Sequence, residues 1–520
     1  MLLVATTALS APAFAQVQLP ALGESASADL SIGAERRLGE QIMREGRRDP
    51  QYLDDPMLLE YLQQLWQPLV AAARKRGDIT GETDQAFAWE SFLVRDRSVN
   101  AFALPGGYVG VHLGLIALTT SSDQLASVLA HELTHVTQRH IARSIAPQRS
   151  ASMIAVAALL LGILAASRSN NTDAANAAIM GGQAAAIQGQ LNFSRDMERE
   201  ADRIGYGVMA DAGFATTGMA AMFEKLDIAM RLNDSGGFPY LRSHPLTVDR
   251  IAEARNRALL GGGVAAPPTV QHAVMAARAR VLADDTAQAM QRFNGASSSP
   301  LLAERVGALY GGALAASLLK DPVRADALAA DALRQAATAT PRDPAAERAI
   351  VLLQAQLRLA RGDAAGTLAL LDGLGTKKIE RPPLLLRAQA LLDLNRAAPG
   401  SQPVALRNST EALQTWVAEQ NQDATAWELL AATGDALGLK LRSMRAAAEA
   451  RVVVGDLTGA IDRLRAAQAV SRGAIGQDFI EGSVIDARLR QITAQRRQLQ
   501  LDARESRGSN RGGPDEPQPQ

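Results

Sequence analysis

From about residue 271 to 503 the chain repeats one pattern: a helix-length apolar stretch, a short polar turn, another helix-length stretch. Leu359-Ala-Arg-Gly-Asp363 leads into a helix containing Thr367 to Leu371. Val453-Val-Gly-Asp456 leads into one with Ala460, Ile461 and Leu464, and Lys320-Asp321 precedes Ala325 to Leu328 in the same way. A helix pair cannot bury its apolar face alone, so such units must stack side by side into a solenoid. Trp427-Glu-Leu-Leu430 has the W-x-x-L spacing that opens a tetratricopeptide helix pair, although the intervals here are uneven. Aromatics at 4% of the residues favour packed helices over sheets throughout.

The N-terminal half is organised differently. Residues 1–15, MLLVATTALSAPAFA, carry no charge and end on a small-x-small pattern, which predicts a secretory signal peptide, with a buried helix as the alternative. Leu38, Ile42, Leu58, Leu62, Leu65 and Leu69 recur at helical spacing. Residues around Phe92 to Val94, Ala101 to Leu104 and Tyr108 to Val111 are short and β-prone, and Pro105-Gly106-Gly107 punctuates them as a hairpin turn. Ser121 followed by Gln124 predicts a capping box at the start of a helix whose stripe is Leu125, Val128, Leu129, Leu133 and Val136. Residues 151–167 are uncharged but short of a bilayer span, so a buried or membrane-touching hairpin is expected, with a second small-residue helix at 174–190. The domains expected are therefore 30–258, a linker at 259–270, a repeat domain at 271–503 and a disordered tail at 504–520.

Charge and cysteine content remove several functions. Lys+Arg and Asp+Glu are 54 each, which argues against a nucleic-acid partner. With no cysteine, disulfides, thiolate ligands and a cysteine nucleophile are impossible, so a metal would have to be held by His, Asp and Glu.

Such a set exists. Of six histidines, His131 and His135 sit four apart in the helical stretch HELTH. Four residues turn an α-helix by about 400°, so both imidazoles face one way and can grip one cation. Glu132, about 100° round, reaches a metal-bound water as a general base without taking a coordination position. The competing reading is an amphipathic helix with two solvent-facing histidines. A catalytic tetrahedral zinc site also needs a third ligand and one open position. The metzincin pattern is excluded because positions 138 and 141 are Gln138 and Ile141. His140 is one residue off that pattern and is expected to rotate away, as a surface residue or one that orients a ligand. A carboxylate from NFSRDMEREADRIG is the other option: Glu198 and Asp202 share a helix face, while Glu200 should point elsewhere. That helix, read by itself, is equally an arginine-paired solvated surface.

HELTHVTQRH, the pair Glu198 and Asp202, and the upstream NAFALPGG together resemble the HtpX-like zinc metalloprotease family, which includes the CAAX prenyl proteases. A signal sequence followed by a tetratricopeptide half is similar to its BepA-type periplasmic subgroup. The resemblance is good over about residues 30–258 and architectural beyond. It implies a mainly α chain: a zincin-like α+β metalloprotease domain with a small β-hairpin or sheet, then an α-helical tetratricopeptide-like repeat domain. It implies one Zn2+ per chain on His131, His135 and Glu198, with Glu132 as base and Asp202 orienting a ligand. His244-Pro245 matches a His-Pro pair of the family. His244 would stabilise the oxyanion, close over the zinc at rest, or simply precede a helix starting near Thr247. Asn100, Ala101, Phe102 and Ala103 should form an edge along the active-site helix to which an unfolded peptide adds as a strand. The function implied is a periplasmic endopeptidase for unfolded or misassembled outer-membrane proteins, whose repeats bind clients or the β-barrel assembly machinery. The alternatives are a chaperone or scaffold with secondary proteolysis, and a protease anchored in or touching the membrane through 151–167.

Overall fold

The computed structural model describes residues 30–145, 193–232, 239–260, 267–284, 286–375, 378–472 and 477–509. The expected signal peptide and the apolar segments at 151–167 and 174–190 lie outside the described residues. No described helix is long and apolar enough to cross a membrane.

The N-terminal helical spacing resolves into two helices, α1 (Ile32–Gly46) and α2 (Pro56–Arg76). Asp55 caps α2 by accepting from the Leu58 amide, Pro56 occupies the first turn where no donor is needed, and Gly77 ends it at φ 79°. Leu58, Leu62, Leu65 and Leu69 are all buried, as their period requires. Between the helices lies β1 (Tyr52–Leu53), two residues long and too short to carry a sequence signal.

The hairpin is present and belongs to something larger. β3 (Ala101–Leu104) and β4 (Tyr108–His112) pair antiparallel, with Gly106 and Gly107 at φ 77° and 89° in the turn. β2 (Glu90–Val94) then adds to the other side of β4 in parallel, and β1 adds antiparallel to β2, giving the order β1-β2-β4-β3. β3 is thus an edge. His112 donates its backbone N–H to the Asn100 carbonyl. In an antiparallel ladder bonded pairs alternate, so Ala101 and Ala103 turn their backbone groups to the open side.

The short helix α3 (Gly81–Ala86) precedes β2, and β4 is followed by the short helix α4 (Leu113–Leu118) and then α5 (Ser122–Thr137), which runs through the middle of this half, with every residue from Asp123 to Val136 buried. The capping box forms only in part: the Ser121 hydroxyl accepts from Gln124 N–H, but the Gln124 side chain bonds the Thr120 amide rather than that of Ser121. Lys225, reaching the same Gln124 oxygen at 3.1 Å, draws it there.

The C-terminal half is a stack of antiparallel helices, and the Gly-Asp and Lys-Asp signals mark its turns. Gly362 and Gly455 end their helices with positive φ, and Lys320 at φ 65° takes the same role. The aspartates Asp321, Asp363 and Asp456 then cap the following helices, each accepting from the third amide. Asp343 and Asp423 do the same without a preceding glycine. Around the expected linker, one helix reaches Leu260 and the next starts at Val270 behind the Thr269 cap. One apolar core runs across this stretch, from Leu53 through Val274 to Leu357. Arg278 ties the first C-terminal helix to α2 through a buried pair with Asp55 at 2.6 Å. The last helix continues to Ser509, past the boundary expected at 503.

Candidate metal centre

α5 presents His131 and His135 toward one point, with Nε2 atoms 3.0 Å apart. Because α5 is covered on all sides, both rings are buried, which rules out the solvent-facing reading. Against α5 lies the helix Arg195–Asp211, capped by Ser194, and Gly205 makes the close approach possible: a Cβ there would sit 3.1 Å from the Ala130 carbonyl oxygen. This packing lays Glu198 over the histidine pair. Its carboxylate oxygens are 3.4 Å from His131 Nε2 and 3.5 Å from His135 Nε2.

A fourth group closes the cluster. His244, at the end of the short helix Pro239–Ser243, is buried, with Nδ1 2.9 Å from Glu198 Oε1 and 3.4 Å from His131 Nε2. Four of the potential ligand atoms, from His131, His135, Glu198 and His244, lie within 4.8 Å of one another. A tetrahedral ion with bonds of about 2.0–2.1 Å has ligand atoms about 3.3 Å apart. Five of the six pairwise separations, 2.9 to 3.5 Å, bracket that value, so these residues fit a zinc-sized ion. Glu132 supplies a second indication: both of its carboxylate oxygens are buried without a hydrogen-bond partner among the described residues, and His244 Nε2 lies 3.5 Å from one of them. A buried carboxylate left this way is incomplete without a water or cation.

The surrounding groups hold the rings in place. Asp202 Oδ1 is 3.0 Å from His131 Nδ1, which leaves Nε2 for the centre. Arg250 grips Asp202 with two hydrogen bonds of 2.7 and 2.8 Å, reaches Glu198 Oε2 at 2.8 Å, and donates to the Pro245 carbonyl beside His244. Tyr240 stacks on His244 and Phe193 stacks on His135. In this setting burial disfavours a charge on His131, but the hydrogen bonds it donates to Asp202 and Glu198 outweigh it and raise its pKa to about 10. His135 is pushed well below its usual value, by burial first and then by the charge on His131. Burial also works against ionised Glu198, yet His244 and His131 hold its pKa down. The carboxylates of Asp202 and Glu198 therefore favour charge on His131, while His135 stays neutral.

Compared with the sequence reading, Glu198 and Asp202 lie where their shared face put them, and Glu200 stays out of the ligand group. His140 does not rotate away. It is buried, and its Nδ1 is 2.9 Å from His135 Nδ1, because Arg139 at φ 51° breaks the helical path and folds the chain back. His244 is more than a residue before a helix, since that helix starts at Val248 and the imidazole points into the cluster. Arg250, Tyr240 and Phe193 were not singled out by sequence. Nothing marks Arg250 among its arginine-rich neighbours except its place six residues after His244.

Replacing Arg250 with leucine leaves the buried carboxylates of Asp202 and Glu198 with only His131 and His244 to offset them. The expected loss is about 3–5 kcal/mol of stability in metal-free protein. Arg250→Lys should recover part of it, since an ammonium lacks the two-pronged geometry. Urea denaturation of the three proteins gives the comparison, and equal midpoints would show that the pair is unimportant.

Two imidazoles one helical turn apart, an adjacent carboxylate and a third ligand from a neighbouring helix, beside a sheet edge, define a metalloendopeptidase. Residues 60–258 match peptidase family M48. The beta-barrel assembly-enhancing protease of Escherichia coli (strain K12) is 32% identical over 512 residues, 94% of each chain. A putative beta-barrel assembly-enhancing protease of Vibrio cholerae is 39% identical over 275 residues, 52% of this chain and 54% of that protein. The mitochondrial metalloendopeptidase OMA1 of Schizosaccharomyces pombe is 32% identical over 229 residues, 43% of this chain and 60% of that protein. The chain belongs to peptidase family M48, in the group of the beta-barrel assembly-enhancing proteases.

Proposed function

We propose that the chain is a zinc endopeptidase of the periplasm that cleaves unfolded or misassembled outer-membrane proteins, with the repeat helices holding clients or docking on assembly machinery. The observation that carries this reading is the four-atom cluster beside the open edge of β3. The names of the relatives support its outer-membrane part.

His131, His135 and Glu198 would hold the ion. Bound zinc lowers the pKa of a coordinated water toward 7 and polarises the scissile carbonyl. Glu132, buried and without a hydrogen-bond partner among the described residues, would accept a proton from the attacking water and return it to the leaving amine. Asp202 and Arg250 keep His131 in the tautomer that offers Nε2. The backbone groups of Ala101 and Ala103 that point away from β4 would receive the peptide as an added strand. A folded substrate has no such strand to give, hence the preference for unfolded chains.

Ala103→Pro tests the strand directly. It removes a donor from the open edge and none from the ladder, which is where proline is tolerated. Cleavage of an unfolded substrate should be lost while bound zinc stays stoichiometric; full activity would sink the strand-addition reading.

The position of His244, its Nδ1 2.9 Å from Glu198 Oε1 and 3.4 Å from His131 Nε2, supports a resting state in which it would help hold the ion and keep water out. His244→Ala should then keep zinc and raise the rate of peptide cleavage. A variant that loses zinc, or turns over more slowly, would assign His244 to binding or to the oxyanion instead. The same resting state favours the second reading, a chaperone or scaffold that cleaves only on demand. Loss of cellular function in Glu132→Gln would reject it.

A further inference from the structure

The Arg139 turn does more than end α5. On a continuous helix His140 would point about 140° away from His135. Instead Arg139 adopts φ 51°, a costly conformation for a side chain of this size, and is held there by hydrogen bonds to the Glu35 carboxylate and the Leu30 carbonyl. The consequence is a chain of contacts behind the metal centre. His135 Nδ1 is 2.9 Å from His140 Nδ1, His140 Nε2 is 3.1 Å from Glu200 Oε2, and Arg143 Nη1 donates to the same oxygen at 2.9 Å. His140 is fully buried and sits outside the ligand group.

Only one proton arrangement satisfies every contact if His135 Nε2 faces the metal. That atom must keep its lone pair, so His135 carries its proton on Nδ1 and donates to His140. His140 Nδ1 must then be the acceptor, its proton lies on Nε2, and that N–H donates to the Glu200 carboxylate. The geometry points to His140 as a positioning residue for His135: an Nε2–H tautomer, fixed by Glu200 and Arg143, whose Nδ1 lone pair locks the ring of the second metal ligand. His131 and His135 are thus held by arms of different length, Asp202–Arg250 for the first and His140–Glu200–Arg143 for the second. This assignment rests on the zinc reading above and adds to it which atom of His140 accepts.

An isosteric pair of variants separates acceptance from packing. Asn at 140 keeps an oxygen near the place of Nδ1, whereas Leu keeps the volume and loses the acceptor. Zinc affinity is read by competition with a chromophoric chelator, so hydrolysis is not needed. His140→Leu is expected to weaken zinc binding by about 10–100-fold, and His140→Asn by only a few-fold. Equal weakening in both, or none in either, overturns the role of His140. Wild-type protein that binds no zinc would instead overturn the metal reading itself. A second readout needs no variant: long-range proton–nitrogen spectra of the zinc-loaded protein should show His140 protonated at Nε2 and His135 at Nδ1. His140 protonated at Nδ1 overturns the inference, also if the leucine variant fails to fold.

Discussion

Glu132→Gln should abolish peptide cleavage by a factor of about 100–10,000 and leave the zinc in place. The reason is that the residue is placed for proton transfer and carries little of the structure. Both carboxylate oxygens are buried without hydrogen bonds among the described residues, so removing the charge weakens only the 3.5 Å contact with His244 Nε2. Glutamine preserves shape and volume but cannot take a proton from water. Turnover of an unfolded substrate, measured beside metal content, gives the answer. Cleavage within a few-fold of wild type would place the base elsewhere.

Glu198→Ala is the second large effect, and its signature is the reverse: metal is lost first and activity follows. Glu198 brings the charge that His131, His135, His244 and Arg250 share, each with an atom within 3.5 Å of its carboxylate. Alanine removes a coordinating atom and leaves the Arg250 guanidinium with Asp202 alone. Loss of a direct ligand should exceed the about 10–100-fold effect typical of groups behind the ligands. The zinc content of the purified variant decides it, and stoichiometric metal would show that the cluster binds without this helix. Comparing the two variants separates chemistry from binding: Glu132→Gln is inert but loaded, Glu198→Ala inert and empty.

Much of this is legible in the sequence, because the signals are local. The leucine period of α2, the Pro-Gly-Gly turn and the Asp caps of the repeat helices each depend on residues within a few positions of one another. The rotation of His131 onto the face of His135 is likewise a property of one helix. Errors came where a single backbone angle or a distant partner decided. The helical rotation of His140 failed at Arg139, whose positive φ no neighbouring residue announces. The reciprocal cap at Ser121 was diverted by Lys225, about a hundred residues away. The small sheet is as expected, but its strand order is not legible in sequence, because β2 joins β4 in parallel, a pairing with no signature in either strand alone.

The sequence determined the chemistry on offer: no thiolate, a paired imidazole with an acid beside it, and a helical array whose units must stack. Only the tertiary structure decided which groups share one point. Glu198 and His244 reach the histidine pair from other helices, and Arg250 joins both to Asp202. The physical reason is that periodicity sets which way a side chain faces around its own axis, whereas the distance between axes depends on packing. Here that distance is set by the close contact at Gly205, and a cluster whose Glu198 oxygens sit 2.9 to 3.5 Å from three imidazole nitrogens tolerates little change in it.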